Sequence, residues 1–140
     1  FTGCSNSETN STSRGLTDFA HIEEEYLATI DSLNWPDGIA LPDKLEDEDT
    51  GASFQVGYGE TRASYLWEYS WMKEWLDTYN TDPERAEKAL EELEKAFDMP
   101  YMGIDRCDDA TRNYLRENID KAKLGDPSGF TESIRANYAN

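Results

Sequence analysis

The sequence predicts an all-α fold, a small bundle of about five helices with one long irregular loop over residues 34–61. Three observations lead to this prediction. Apolar residues recur at three- and four-residue spacing through several segments, which is the period of a helix with one buried face. Helix start and stop signals bracket those segments. Strand-like alternation is confined to a short stretch around Phe54.

The first predicted helix covers residues 16–33. Its apolar positions share one face: Leu16, Phe19, Ile22, Tyr26, Leu27, Ile30 and Leu33. The helix is predicted to end before Pro36, because the residue before a proline is pushed out of helical geometry. The following Asp37-Gly38 pair is typical of a turn. His21 projects to the opposite side, where we expect it to be solvated.

The long loop contains a run of four acidic residues. We expect this run to be solvated and mobile and to bind a protein partner or wall component. The candidate contact residues are Asp43, Glu46, Asp47, Glu48 and Asp49. Asp47 and Asp49 alternate as calcium ligands do, but Gly51 stands at the next ligand position and no glutamate closes the loop. No metal site is therefore predicted here.

The end of the loop leads from an extended segment into a helix. Phe54, Val56 and Tyr58 alternate with polar or small residues, which predicts a short extended piece with one buried face. Gly57 and Gly59 then precede the next helix. Such a pair is either a tight turn or a cradle for an anion. Since no lysine or fuller phosphate-loop spacing accompanies it, we expect a turn.

The central helix is predicted over residues 62–79. Large apolar residues occupy most of its circumference, so it should be buried among the others. They are Tyr65, Leu66, Trp67, Tyr69, Trp71, Met72, Trp75, Leu76 and Tyr79. An alternative interpretation of the tryptophan stripe is a sugar-stacking platform. A carbohydrate-binding module would need at least two of Trp35, Trp67 and Tyr58 exposed on one surface.

Three further helices are predicted after the central one. The first covers residues 82–98, where Thr81-Asp82-Pro83-Glu84 combines a capping box with a first-turn proline. The second covers residues 108–124 and ends at Gly125. Asp126-Pro127 then starts a short last helix, whose Phe130, Ile134 and Tyr138 should face the core.

Charge excludes one class of partner. The 140 residues hold thirty acidic and thirteen basic side chains, a net charge of −17. Such a surface repels nucleic acid and anionic membranes, so no nucleic-acid binding is predicted. Solubility at an exposed surface is the simplest interpretation, and recruitment of a basic partner or of divalent cations is the alternative. No apolar run approaches the roughly 18 residues of a membrane span.

Two carboxylates fall on predicted apolar faces. Glu23 lies between Leu27 and Ile30 on the first helix, and Glu68 lies among the aromatics of the central helix. A buried carboxyl has a raised pKa, as a general acid needs, and two facing carboxylates suit glycoside hydrolysis. Glu60 is a further candidate for that role. The alternative is that Glu23 and Glu68 lie at the edge of the core or pair with Arg62, Arg112 or Arg116.

The chain opens with Phe1-Thr2-Gly3-Cys4 and continues in a tract of Ser, Asn and Thr. It starts on Phe rather than Met, so we expect a preceding segment. This stretch resembles the lipobox and tether of bacterial lipoproteins, in which a small residue precedes the cysteine, although Phe1 stands where leucine is usual. The resemblance implies a lipid on Cys4 and anchoring at the extracytoplasmic face of the cell membrane. Residues 1–15 are then a lipobox remnant and tether, and residues 16–140 a single helical domain.

The two cysteines leave two chemical states open. One is a bridge between Cys4 and Cys107. If Cys4 is acylated instead, Cys107 is expected to be a small buried hydrophobe. A catalytic thiol would need a basic partner, and His21 is the single histidine of the chain, with no local signature for that role.

The helical portion resembles small exported domains of Gram-positive actinobacterial proteins, a resemblance that carries over no site residue. The prediction is a non-catalytic, membrane-anchored extracytoplasmic lipoprotein that acts as a binding or accessory subunit of an envelope complex. Its expected partners are the membrane, through Cys4, and an envelope protein. The alternative is a cell-wall glycan hydrolase or a carbohydrate-binding module. No cofactor or metal is predicted, since one histidine and one cysteine beyond Cys4 cannot complete a zinc or di-metal site.

Overall fold

The computed structural model describes residues 15–46 and 48–138. These residues form a bundle of five α-helices with one two-stranded ladder, which confirms the predicted all-α class. In chain order the elements are β1 (Leu16–Thr17), α1 (Phe19–Ser32), β2 (Phe54–Gln55), α2 (Tyr58–Thr78), α3 (Pro83–Glu94), two 3₁₀ turns (Lys95–Asp98 and Pro100–Met102), α4 (Asp109–Lys123) and α5 (Ser128–Asn137).

The start of α1 differs from the prediction. Leu16 and Thr17 form β1, which pairs antiparallel with β2, so that Leu16 lies opposite Gln55. The Asp18 carboxylate accepts a hydrogen bond from the His21 backbone N–H at 3.0 Å and caps the helix there. Placing Leu16 on the buried helix face was therefore wrong, and its side chain is 72% exposed.

α2 begins four residues earlier than predicted, at Tyr58. Its N-cap is Gly57, with φ at 100°, a conformation that favours glycine. The Glu25 carboxylate of α1 accepts hydrogen bonds from the backbone N–H of Gly57 at 3.0 Å and of Glu60 at 3.4 Å. The chain thus supplies its own anion to this helix N-terminus, where the dipole favours negative charge.

α2 is the centre of the core. Its Trp67, Trp71 and Trp75 are each at most 3% exposed. One side of the helix packs on α1, and the remainder packs on α3, the 3₁₀ turns and α5. The buried indoles confirm the central helix as core. They are not available for sugar stacking, so the interpretation of the stripe as a platform was wrong.

Two glycines set the closest helix contacts. A Cβ on Gly59 of α2 would collide with the carbonyl oxygen of Ile22 on α1. A Cβ on Gly129 of α5 would lie 2.6 Å from the Asn118 Oδ1 atom of α4. The pairs α1–α2 and α4–α5 therefore approach to a distance that only glycine permits at these points. None of the helices in the described ranges has the length and apolarity needed to cross a bilayer.

Candidate ligand cavity around Glu68

A partly open cavity of about 370 Å³ lies between α2, α4 and α5. Tyr65 and Glu68 contribute from α2, and Met102 from the second 3₁₀ turn. Tyr114 and Asn118 of α4 and Tyr138 at the end of α5 complete its larger walls. The amphipathic pattern of each helix explains this placement, since the three apolar faces converge on the core and the cavity lies at their edge.

Glu68 is the central polar group of the cavity. Its side chain is buried, and its Oε1 atom accepts a hydrogen bond from the Tyr101 hydroxyl at 2.6 Å. The Tyr138 hydroxyl lies 3.5 Å from Oε2, at the limit of a hydrogen bond. The sequence identified Glu68 but not these partners. Arg62, Arg112 and Arg116, which were considered as its ion-pair partners, bond elsewhere in the described structure.

Burial changes the protonation of this cluster. It raises the pKa of the Glu68 carboxyl from 4.5 to about 7, against the opposing effect of the hydrogen bonds from Tyr101 and Tyr138. Burial also raises the pKa of both tyrosines well above the usual value, and the charge of Glu68 adds to that effect. The tyrosines are therefore neutral donors, and Glu68 changes its charge near neutral pH.

Asn118 is a site residue that the sequence analysis missed. It is 2% exposed, and its Nδ2 atom has no hydrogen-bond partner within residues 15–46 and 48–138. A buried amide donor without a partner is unfavourable. The available signal was its position three residues after Leu115 and four before Ala122, on the apolar face of α4.

Cationic side chains are absent from the cavity wall. Among the described residues that line it there is no lysine, arginine or histidine. Arg112, the nearest candidate in sequence, donates to the carbonyl oxygens of Met102 at 3.2 Å and Cys107 at 2.6 Å, and pairs with Asp109. The cavity thus offers a carboxyl, hydroxyls and amides, with aromatic and aliphatic walls.

The carboxylates of the alternative hydrolase hypothesis, Glu23 and Glu68, do not line one cavity. Glu23 of α1 accepts a hydrogen bond from the Leu45 backbone N–H at 3.1 Å and so holds the long loop. Glu60 forms an ion pair with Arg106 at 2.7 Å. Neither residue lines the cavity of Glu68. The hydrolase hypothesis required two carboxylates across one cleft, and this part of the structure contains one.

The acidic run divides into exposed and engaged residues. Asp43, Glu46 and Asp49 are exposed, as expected for a contact surface. Glu48 is not solvated as predicted: it forms an ion pair with Arg62 and accepts a hydrogen bond from the Tyr58 hydroxyl at 2.6 Å. Asp47 lies outside the described residues. The described residues also contain no group of three or more His, Cys, Asp or Glu side chains placed to hold a metal ion.

Cys107 is buried and disulfide-bonded, with 3% of its surface exposed. The expectation of a simple buried thiol is therefore wrong. The other cysteine of the sequence, Cys4, lies outside the described residues, as do the lipobox-like segment and most of the predicted tether. A cysteine that carries a thioether-linked lipid cannot also form a disulfide, so lipidation of Cys4 and a Cys4–Cys107 bridge exclude each other.

Comparison with protein-family models, with curated protein sequences and with solved structures finds no match to this chain.

Proposed function

We propose that the protein is a non-catalytic, extracytoplasmic binding protein or accessory subunit of the cell envelope, with the cavity around Glu68 as its ligand site. The observation that carries this proposal is the cavity itself. It combines a buried carboxyl, an amide donor and aromatic walls, which is the composition of a site that orients a small ligand. A second carboxylate for glycoside hydrolysis does not accompany them among its described lining residues.

Two features support the extracytoplasmic location. The segment Phe1-Thr2-Gly3-Cys4 resembles a lipobox, and Cys107 is disulfide-bonded. Disulfides persist in oxidising compartments outside the cytosol. Anchoring through a lipid on Cys4 is a separate part of the proposal. Because the sequence holds two cysteines, the anchor requires the disulfide of Cys107 to join another molecule, and a bridge that used the Cys4 sulfur would contradict the anchor while leaving the location intact.

Mass spectrometry of the native protein distinguishes the two states of Cys4. A lipidated protein carries an acyl-containing mass on its N-terminal peptide and fractionates with membranes. Cys4→Ala should release it into the soluble fraction, whereas Cys107→Ala should not. An unmodified N-terminal peptide linked to the Cys107 peptide until reduction would contradict the lipid anchor.

Binding in the cavity can be tested with the isotopically labelled chain and a low-molecular-weight extract of the envelope. We expect the extract to shift the NMR resonances of the Asn118 side-chain amide. Ala110→Trp should abolish the shift, because Ala110 is exposed and lines the cavity. Ala28→Trp, an exposed site on α1 away from the cavity, is the matched control. Unchanged resonances in the unsubstituted protein would contradict the proposed ligand site.

The acidic loop is the proposed contact surface for a protein partner. Asp43→Asn combined with Glu46→Gln removes two exposed charges and leaves the Glu48 ion pair intact. This variant should show weaker crosslinking to its partner in solubilised membranes. Glu24→Gln combined with Asp31→Asn removes the same charge from an exposed face of α1 and should not. Equal loss in both variants would count against a specific contact at the loop.

A further inference from the structure

We propose that the cavity around Glu68 binds a small organic cation, a protonated amine that also carries a hydrogen-bond acceptor. This inference rests on the proposed function and names the chemical class of its ligand.

Glu68 differs from the other buried glutamates in its charge partners. Three glutamates are buried in the described structure: Glu68, Glu74 and Glu92. Glu74 forms two hydrogen-bonded contacts of 2.8 Å with the Arg85 guanidinium. Glu92 lies 2.9 Å from both Lys88 and Lys95. Glu68 has tyrosine hydroxyls instead and, among the described residues, no cation within ion-pair distance.

A cationic ligand would supply the charge partner that the fold omits. A carboxylate removed from water is costly unless a positive charge accompanies it. Because the cavity gives Glu68 a route to solvent, that charge can come from a ligand. An anionic ligand would be repelled, and a neutral one would leave the carboxylate uncompensated.

The walls and the net charge favour the same class of ligand. The rings of Tyr65, Tyr114 and Tyr138 line the cavity, and aromatic rings attract organic cations. The net charge of −17 raises the local concentration of cations around the whole molecule. A neutral polyol would use the hydroxyls, the amides and the ring faces, but it would gain nothing from the net charge.

Asn118 indicates that the ligand carries a hydrogen-bond acceptor in addition to its amine. Asn118 lines the cavity, and the described residues give its buried Nδ2 donor no acceptor. A hydroxyl or carbonyl oxygen on the ligand would satisfy it. The amine and this oxygen together fix an orientation, which a simple ammonium ion would lack.

We expect amine binding to be coupled to the release of a proton from Glu68. The ionisable groups around Glu68 are Tyr65 on its own helix, Tyr101 on the 3₁₀ turn, Tyr114 on α4 and Tyr138 on α5. Asp108 at the start of α4 acts on Tyr65 by its charge. Since burial raises the pKa of Glu68 to about 7, the ammonium group meets a partly protonated carboxyl at neutral pH. Binding then releases the carboxyl proton to solvent, and the amine keeps its own.

The experiment compares phenethylamine with phenethyl alcohol, two probes of similar shape that differ in charge and both small relative to the cavity. Binding is followed by the Asn118 side-chain resonances and by calorimetry. We expect the amine to bind at least about tenfold more tightly than the alcohol. Its affinity should increase as the pH rises through the Glu68 titration.

Glu68→Gln keeps the size of the side chain and one acceptor oxygen, replaces the other oxygen with an NH₂ donor, and removes the charge. This variant should lose the preference for the amine and the pH dependence. Glu117→Gln, an exposed change of the same charge on α4, should retain both. Ala110→Trp should weaken amine binding. Circular dichroism establishes that each variant is folded before it is titrated.

The outcomes separate this inference from the proposed function. Equal or tighter binding of the alcohol, or an amine preference that survives in Glu68→Gln, overturns the cation proposal. If glucose or another neutral probe shifts the Asn118 resonances while the amine does not, the cavity remains a ligand site of a different class. If neither the probes nor the envelope extract shift them, both proposals are wrong.

Discussion

Glu68 shows how one carboxyl links stability to pH. The side chain lies in the core, where Tyr101 and Tyr138 supply hydrogen bonds but no positive charge. Its pKa is about 7 in the folded chain, whereas an exposed carboxyl has a value of 4.5. Between these values the folded state holds a proton that the unfolded state has released. The free energy of unfolding contributed by Glu68 therefore falls as the pH rises through that window.

Substitution of this residue tests that linkage. Relative to Glu68→Gln, the unsubstituted chain should lose about 3 kcal/mol of unfolding free energy between about pH 4.5 and about pH 7. Urea unfolding at several pH values measures the difference. Glu117→Gln, which is exposed, should follow the unsubstituted chain. A constant offset between Glu68→Gln and the unsubstituted chain at every pH would contradict the raised pKa.

At the residue scale, sequence periodicity could identify Glu68 but not its surroundings. A carboxylate on an apolar helix face is visible from spacing alone. Tyr101 and Tyr138 lie 33 and 70 residues away in the chain, and no local pattern predicts that their hydroxyls meet this carboxyl. Asn118 can be recognised as a buried polar residue only when the face of α4 that packs in the core is known.

At the scale of elements, the contact between α1 and α2 depends on Gly59. Gly59 is the second residue of α2, where the neighbouring helix and not helix propensity limits the side chain. A Cβ at this position would lie 2.1 Å from the Ile22 carbonyl oxygen and 3.0 Å from the Tyr26 backbone nitrogen. These are backbone atoms, which cannot move aside without shifting α1.

Gly59→Ala should therefore destabilise the fold. The added methyl group improves helix propensity by at most about 1 kcal/mol in this first turn, but overpacking against backbone should outweigh this and give a net loss of about 1–3 kcal/mol. Thermal and urea unfolding provide the measurement. Gly51→Ala is the control, because its Cβ would meet only the Asp49 carboxylate at an ordinary 3.5 Å. A Gly59→Ala chain as stable as the Gly51→Ala chain would show that the helices can separate without cost.

The predicted start of α3 lies within one residue of the observed start, because capping residues mark it in the sequence. Asp82 caps α3 by accepting from the Arg85 backbone N–H at 3.2 Å, one residue after Thr81, where the predicted capping box with Glu84 would place the N-cap. The start of α1 was predicted too early, because Leu16 fits the apolar spacing of the helix although the helix begins only after its N-cap, Asp18. The end of α3 relaxes into a 3₁₀ turn at Lys95, and nothing in the apolar spacing distinguishes that turn from a longer helix.

At the scale of the whole molecule, charge repulsion is the dominant long-range term. Even if all thirteen basic residues were paired, seventeen acidic charges would remain. Several pairs are buried or semi-buried, such as those of Glu92 and Glu94, and salt screens these less than it screens the surface. Repulsion between the excess carboxylates should therefore respond to ionic strength more strongly than the ion pairs do.

Raising NaCl from about 20 mM to about 300 mM should increase the melting temperature of the chain by a few degrees. Differential scanning calorimetry at constant pH measures the change. MgCl₂ at matched ionic strength is the control: an equal effect indicates screening, whereas a larger one indicates bound divalent cations. A melting temperature that decreases with salt would show that ion pairs outweigh the repulsion.

The two glycine contacts bear on how the molecule could move. Gly59 lets α1 and α2 meet at close range, and Gly129 does the same for α4 and α5, so we expect each pair of helices to move as a unit. The wall residues Tyr65 and Glu68 belong to the first pair, and most of the others to the second. We therefore expect a ligand larger than the cavity to enter by displacing these two helix pairs relative to each other, with the change absorbed in α3 and the 3₁₀ turns that connect them.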